Sequence, residues 1–230
     1  MKYTKKNTRK TSTTARRPQA SRAPADGQKL LLNNYFEVAL NQGANGNGGV
    51  MGYSLHCDPS DMKLHLNTSE NAGTISASNG VSAIASASKL SFPKLVKFGD
   101  IYRQYKIDYV KVNITTDREC GLDNPVIMLT DKGDEAPVVN VASAMTQAHK
   151  EAILTESKRT CAYGWKPSTP SEREYHILGH DLAVGEKNVI KILQDLEPKV
   201  NGVCKHRVTV VAQVTLKDSK GVALPPAPLN

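Results

Sequence analysis

The sequence has few aromatic residues and no long apolar run. Aromatic residues make up 5% of the 230 positions, and there is a single tryptophan, so a core must be built mainly from Val, Ile, Leu and Ala. No stretch approaches the roughly 20 apolar residues of a membrane helix. The polar, basic N-terminus does not have the apolar segment of a secretory signal. We therefore expect a globular protein with no membrane partner.

Cysteine is scarce, and its spacing shows no pairing. The four cysteines are Cys57, Cys120, Cys161 and Cys204. Their wide separation has neither the density of a disulfide framework nor the short spacings of a zinc site. This pattern predicts reduced intracellular thiols.

Recognisable catalytic motifs are missing. The chain has no G-x-x-x-x-G-K-[ST] phosphate loop, no G-x-S-x-G elbow and no H-E-x-x-H helix. The glycines between positions 43 and 52 do not form G-x-G-x-x-G ahead of a helix. These absences predict that the protein is not an enzyme and uses no cofactor.

Two groups of residues contain side chains that bind metals. One is His56, Cys57 and Asp58 with His65; the other is His176 with His180, four positions later. Gly179 interrupts the second pair, where a strand fits the pattern better than a helix. We interpret all of these as ordinary loop and sheet residues and predict no metal site.

Acidic residues are absent from the first 22 positions, which carry a large share of the positive charge. The whole chain has 30 Lys and Arg against 22 Asp and Glu. Removing the eight cations of this segment leaves 22 cations and 22 anions, so the remainder is neutral. These eight cations, the predicted nucleic-acid-binding residues, are Lys2, Lys5, Lys6, Arg9, Lys10, Arg16, Arg17 and Arg22.

Residues 1–27 are predicted to form a disordered basic arm. Such a segment contains too little apolar surface to offset the entropy of ordering it. Its Lys and Arg residues neutralise phosphates without a defined fold, and its basic clusters also suit nuclear import. The alternative is a tail that only improves solubility. Without stacking aromatics or a groove-reading helix, sequence-specific base recognition is not expected.

Residues 28–220 have the pattern of β-structure. Along 203–217, Val208, Val210, Ala212, Val214 and Leu216 occupy alternate positions, as one face of a half-buried strand requires. The predicted strands cover residues 29–40, 102–116, 125–130, 152–165, 174–178, 188–193 and 203–217. Residues 138–148 are predicted to form one short helix, 41–52 a flexible loop and 67–88 an exposed excursion.

These elements predict an all-β protein: an antiparallel jelly-roll β-sandwich of eight strands, with one short helix in a loop. There is no βαβ alternation, and a jelly roll accommodates long loops. Tyr163 and Trp165 are expected in the core or an interface. Lys205, His206 and Arg207 are expected at a solvated strand end, with a basic inner surface as the alternative. The proline-rich tail, residues 221–230, cannot pair inside a sheet.

Several segments resemble the capsid proteins of circoviruses and related viruses with small circular single-stranded DNA genomes. Residues 102–114 (YRQYKIDYVKVNI) are similar to that family's strand of the form Y-x-I-x-x-V-x-V. Residues 149–167, the closing strand at 208–216 and the proline-rich end are similar as well. The resemblance implies a jelly roll, a T=1 icosahedral shell of sixty copies, an inward-pointing arm on single-stranded DNA, and import into the host nucleus.

Arm, body and resemblance together predict a self-assembling viral coat protein found in the virion, and in the host nucleus during assembly. Its expected partners are further copies of itself, single-stranded nucleic acid with DNA favoured, and host import receptors. The alternatives are the coat protein of a small RNA virus and a nucleic-acid-binding accessory protein that forms no shell.

Overall fold

The structure is a computed structural model that describes residues 27–42, 49–67, 73–78, 83–84, 88–117, 120, 124–138, 140–180, 186–196 and 203–219. The strands are β1 Gln28–Gln42, β2 Gly49–His56, β3 Met62–Leu66, β4 Gly73–Ser78, β5 Ala83–Ile84, β6 Ser88–Leu90, β7 Tyr102–Thr116, β8 Val126–Lys132, β9 His149–Ala152, β10 Thr160–Trp165, β11 His176–Ile177, β12 Asn188–Leu196 and β13 Val203–Ser219. Helix α1 is Pro93–Gly99, helix α2 is Val141–Met145, and Ser171–Arg173 forms a 3-10 turn. None of the helices in the described part of the chain is long and apolar enough to span a membrane.

The strands form two antiparallel sheets whose central strands are far apart in sequence. The first sheet has the order β10-β7-β13-β1-β4-β5, with β11 beside β7. In its centre β13 pairs with β1 from Gln28 opposite Leu216 to Asn41 opposite Val203. The second sheet has the order β6-β3-β2-β12-β8-β9.

Eight of these strands form the two interleaved four-stranded sheets of a jelly roll, β10-β7-β13-β1 and β9-β8-β12-β2. This confirms the predicted all-β, antiparallel jelly roll. The prediction of an exposed excursion at 67–88 is wrong. Within the described part of that segment, β4 extends the first sheet beside β1, and Ala77 is buried.

The core lies between the sheets and uses the alternate residues that the sequence pattern selects. Phe36, Val112 and Val210 from the first sheet are almost completely buried with residues of the second. Trp165 is in this core, as predicted, and the partly buried Tyr163 packs against it. Burying each large apolar side chain is worth about 1.5–3 kcal/mol.

A second, smaller apolar cluster covers the outer face of the second sheet. Ile127, Leu129 and Leu193 pack there against Ala144 of α2. The covering segment, residues 133–138 and 140–145, runs over this face so closely that a Cβ atom on Gly52 would collide with the carbonyl oxygen of Val138. The two sheets therefore differ, because the outer face of the second is covered by its own chain.

The helix prediction is only partly correct. The predicted helix at 138–148 is shorter in the structure, where α2 begins after Asn140, whose side chain accepts a hydrogen bond from the backbone N–H of Ala142. Within this helix Met145 is 46% exposed, while Ala144 is buried. Helix α1, which the sequence pattern did not indicate, begins at Pro93 and buries Leu95.

The prediction of four reduced cysteines is wrong for one pair. Cys120 and Cys204 form a disulfide, while Cys57 and Cys161 are free thiols. The two bonded residues are 84 positions apart in sequence. They meet because the end of β7 pairs with the start of β13, where Thr116 lies opposite His206. Spacing along the chain does not reveal a contact that depends on this pairing.

Candidate nucleic-acid interface and a buried histidine cluster

The outer face of the first sheet is exposed, and we call it the open face. Along β1 and β13 every second side chain points away from the core, and along β7 the alternation shifts at an irregularity in the pairing, where Asp108 and Tyr109 both face outward. Leu31 and Tyr35 on β1 are 47% and 52% exposed. In the second sheet, by contrast, the covering segment protects the corresponding surface. Within the part of the chain that the structure describes, the open face is the less covered of the two outer sheet surfaces.

Positive charge predominates on the open face. Among the described residues of β1 and β7, the acidic side chains of Glu37 and Asp108 lie on this face, and both have partners. Glu37 pairs with Arg207 at 2.9 Å, and Asp108 accepts hydrogen bonds from Gln213 and Thr215. The face's cations, identified from the pairing register of β1, β7 and β13, are Lys29, Lys106, Lys111, Lys205, Arg207 and Lys217. The excess of cations suits binding to phosphate groups.

Aromatic side chains stand among these cations. Tyr35 is exposed near the centre of β1, and Tyr109 lies on the same face of β7, opposite Gln213. Lys106 and Lys217 both lie over the ring of Tyr175, at 5.5 and 5.2 Å from its centroid. Exposed aromatic rings beside Lys and Arg side chains form the kind of surface on which unpaired bases stack without sequence preference.

The chain enters the fold at one end of the open face. Gln28 begins β1 opposite Leu216, and its side-chain oxygen accepts a 2.6 Å hydrogen bond from the Tyr102 hydroxyl. Lys29 and Lys217 lie beside this entry point. All eight predicted arm cations lie outside the described residues, as does the predicted tail. The arm therefore joins the body next to a surface of the same charge.

The segment Lys205, His206, Arg207 is divided between the two faces of β13. Lys205 and Arg207 point outward, whereas His206 is fully buried between the sheets. Its ring nitrogens contact the Tyr53 hydroxyl at 3.2 Å and the Gln194 side-chain oxygen at 2.7 Å. Burial lowers the pKa of His206 to about 3, so it is a neutral core residue. Because apolar and polar residues alternate along β13, the sequence pattern itself indicates that His206 faces the core and its two neighbours face outward.

The structure brings two of the histidines noted in the sequence together with a third residue. His56 ends β2, His65 lies on β3, and Glu135 belongs to the covering segment. The Nε2 atom of His56 is 3.1 Å from Glu135 Oε1, and that of His65 is 3.5 Å from Glu135 Oε2. Burial is the main cause that lowers the pKa of both imidazoles. We call His56, His65 and Glu135 the histidine cluster.

The other residues considered as metal ligands lie elsewhere. Cys57 is buried, which raises its pKa, and Asp58 accepts a 2.7 Å hydrogen bond from the Tyr105 hydroxyl. His176 lies in the two-residue strand β11 as expected, and its ring packs 5.9 Å from that of Tyr105. The sequence pattern gave no indication of Glu135, because this residue lies 70 positions beyond His65 and approaches it only in the folded chain.

No protein-family model and no curated protein matches this chain. Its fold is similar to that of cocksfoot mottle virus, with a TM-score of 0.50, 7% identity, and coverage of 84% of this chain and 96% of that one. It is also similar to a decameric BFDV capsid protein, with a TM-score of 0.45, 10% identity and coverage of 83% and 99%.

A mud crab tombus-like virus structure has a TM-score of 0.48 and 10% identity to this chain, with coverage of 98% of this chain and 95% of that one. The similar structures therefore include a circovirus capsid protein as well as RNA virus capsids. At these identities the likeness concerns the fold alone. The chain's own sheet topology and its likeness to the cocksfoot mottle virus structure identify the jelly-roll fold.

Proposed function

We propose that this protein is a viral coat protein that self-assembles into a closed shell and packages nucleic acid through its basic arm. The observation that carries the proposal is the division of charge on a jelly-roll fold. Eight cations and no acid occupy residues 1–22, while the rest of the chain is neutral. A neutral body is suited to packing against copies of itself, and a basic arm is suited to phosphates.

The open face extends the nucleic-acid surface of the arm. Lys29 and Lys217 stand where the arm joins the body, and Lys111 and Lys205 continue the positive surface across the sheet. In an assembled shell this face would point toward the genome. Phosphates would be neutralised first by the arms, and unpaired bases would then reach Tyr35 and Tyr109.

Exposed apolar side chains supply surfaces for self-association. Val96 on α1 is 65% exposed, Ile101 just before β7 is 41% exposed, and Ile177 on β11 is 54% exposed. Ile153, after β9, is 73% exposed. Repeated contacts between two different patches generate closed rings and shells when the rotation between subunits closes. Burying these side chains between subunits would supply part of the assembly free energy.

At the finer level, we propose a circovirus-like coat protein with sixty copies in a T=1 shell around single-stranded DNA. The support is the family pattern at 102–114, which forms β7, and at 208–216, within β13. With sixty copies, the arms would contribute about 8 × 60 = 480 positive charges, which makes packaging strongly salt-dependent. Location in the virion, nuclear import before assembly and the absence of catalytic activity belong to the same proposal. An RNA genome is the alternative.

The experiment replaces all eight arm cations with glutamine in the untagged protein. We expect a folded body with an unchanged circular dichroism spectrum and particles that contain no nucleic acid, measured by absorbance at 260 and 280 nm. A control replaces the exposed cations Lys94, Lys97 and Lys132, which lie outside the open face, and should package normally. Nucleic acid at the native level in the arm variant would contradict the proposed mechanism.

A further inference from the structure

The histidine cluster joins three separate parts of the chain on the outer side of the second sheet. His65 on β3 lies opposite Ser54 on β2, so His56, two residues after Ser54, is its diagonal neighbour on the same face. The hydroxyl of Ser54 donates a hydrogen bond to the backbone oxygen of Glu135. This bond fixes the covering segment so that the Glu135 carboxylate meets both imidazoles.

The hydrogen bonding of His56 determines which ring nitrogen is available. Its Nδ1 atom lies 3.2 Å from the backbone oxygen of Asp61. A carbonyl oxygen can only accept, so Nδ1 carries the proton, and Nε2 of the neutral ring presents a lone pair. A backbone carbonyl that orients an imidazole in this way is the usual outer partner of a metal-binding histidine.

The atoms that face one another in the cluster lack hydrogen-bond partners. Within the described residues, His56 Nε2, His65 Nε2 and Glu135 Oε1 are buried and make no hydrogen bond. A lone pair on His56 Nε2 and a carboxylate oxygen 3.1 Å away repel each other unless a positive charge lies between them. A cation bound between the three side chains would satisfy all three atoms.

The spacing of these atoms fits a tetrahedral metal. Zinc binds histidine nitrogen and carboxylate oxygen at about 2.0–2.2 Å, which places neighbouring ligand atoms about 3.3 Å apart. His56 Nε2 lies 3.1 Å from Glu135 Oε1 and His65 Nε2 lies 3.5 Å from Glu135 Oε2, so each carboxylate oxygen faces one imidazole at a comparable distance. One ligand atom from each of the three residues lies within 4.8 Å of the others. The side chains of His65 and Glu135 are 19% and 23% exposed, which provides access for the ion and a position for water.

The other carboxylates near the site do not compete for a cation, because lysine side chains already pair with them. Asp61 is engaged by the ammonium groups of Lys187 at 2.8 Å, Lys89 at 3.1 Å and Lys63 at 3.7 Å. Asp131 and Asp134 are likewise paired with Lys191, at 2.9 and 2.7 Å. Of the carboxylates in these described ion networks, Glu135 is the one directed at the imidazoles.

We propose that His56, His65 and Glu135 bind one zinc-class divalent cation that ties the covering segment to β2 and β3. Two imidazoles and a carboxylate form a donor set that zinc commonly accepts, with the fourth position left to water. The site is independent of nucleic-acid binding, because it lies on the opposite sheet from the open face. Its role is structural, since it connects the covering segment to two strands.

The test uses full-length, untagged protein freed of metal with a chelator. Zinc is added, excess is removed by gel filtration, and bound metal is measured by mass spectrometry. We expect one zinc per chain and a higher melting temperature than in the metal-free protein. With cobalt in place of zinc, we expect the visible absorption of a tetrahedral site and no sulfur-to-cobalt charge-transfer band.

Variants locate the ion. His65→Gln and Glu135→Gln alter partly exposed side chains, and each should weaken zinc binding by at least about tenfold, since even outer-shell changes cost that much. The control is His149→Gln, because His149 and Glu151 form a hydrogen-bonded pair at 3.0 Å without a second histidine. It should bind zinc normally.

Three results would overturn the proposal. The first is failure of the wild-type protein to retain zinc. The second is unchanged zinc binding in both cluster variants. The third is a sulfur-to-cobalt band, which would place the ion at a cysteine thiolate and not at the histidine cluster. The wild-type cobalt spectrum decides the matter even if a variant does not fold.

Discussion

Neutralising the open face should reduce the salt dependence of nucleic-acid binding by a predictable amount. Lys29, Lys111 and Lys205 are exposed cations of this face that form no ion pair in the described structure. Replacing all three with glutamine removes charge without disturbing the core. We leave Lys106 and Lys217 unchanged, since both pack over Tyr175.

The magnitude follows from counterion release. Each phosphate contact with a single strand contributes about 0.7 to the slope of log affinity against log salt. Eight arm cations and three face cations together predict a slope of about −8, and the triple variant should have a slope of about −6. The affinity itself should fall most at low salt, because that is where displaced counterions contribute most.

The assay is fluorescence anisotropy with a short labelled single-stranded oligonucleotide, at protein concentrations below those that form particles. A control triple variant carries Lys94→Gln, Lys97→Gln and Lys132→Gln, which remove three exposed cations outside the open face. It should keep the wild-type slope. If the open-face variant also kept that slope, or if both variants changed it equally, the open face would not be part of the nucleic-acid surface.

Three further predictions concern the body. Gly52→Ala should destabilise the fold by about 1–3 kcal/mol through overpacking against the covering segment, measured by chemical denaturation. Removing the Cys120–Cys204 disulfide, which closes 84 residues, should cost up to about 4.5 kcal/mol by the chain-entropy estimate, seen as a lower melting temperature on reduction. His206→Gln should reduce the loss of stability between about pH 6.5 and 4.5 by about 2 kcal/mol, because the slope approaches about 1.4 kcal/mol per pH unit only below the unfolded-state pKa.

The direction in which stability changes with pH follows from the lowered pKa of His206, which is about 3. The unfolded state binds a proton near pH 6.5, whereas the fold does not. The stability associated with the neutral ring is therefore complete above pH 6.5 and is lost as the pH falls toward 3. An unchanged pH profile in the variant would contradict the buried, neutral assignment.

Controls for the other two changes come from the same chain. Gly164→Ala should be nearly neutral, because the closest atom to its added Cβ would be 3.6 Å away. A Gly52→Ala variant as stable as Gly164→Ala would show that the covering segment is not tightly packed. Cys161→Ser should not change the response to reduction, and a reductant-insensitive wild type would contradict the disulfide.

The sequence predicted the strands in which alternation is strong. Predicted segments 102–116 and 203–217 correspond closely to β7 and β13, because one face of each is buried and the other exposed. β2 was not predicted. It is buried on both faces, between the core and the covering segment, so it has no alternating pattern. Whether the outer face of β2 is buried depends on the covering segment, which lies about 80 residues later in the chain.

Prediction of the candidate sites from sequence has the same limit, because their residues come from distant segments of the chain. His56 and His65 were recognisable as potential ligands, but Glu135 reaches them only through the fold. The open face was visible in part as Lys205 and Arg207, yet its extent depends on the pairing of β13 with both β1 and β7. Local pattern predicts which side chains point outward on a strand, while strand order determines which of them become neighbours.

The most direct test of the coat-protein proposal is electron microscopy of the purified, untagged protein, with its absorbance ratio at 260 and 280 nm. The proposal predicts closed shells of uniform diameter with a high ratio that reveals packaged nucleic acid. Only monomers or small oligomers, across a range of salt concentrations and with added nucleic acid, would contradict it and favour a nucleic-acid-binding protein that forms no shell.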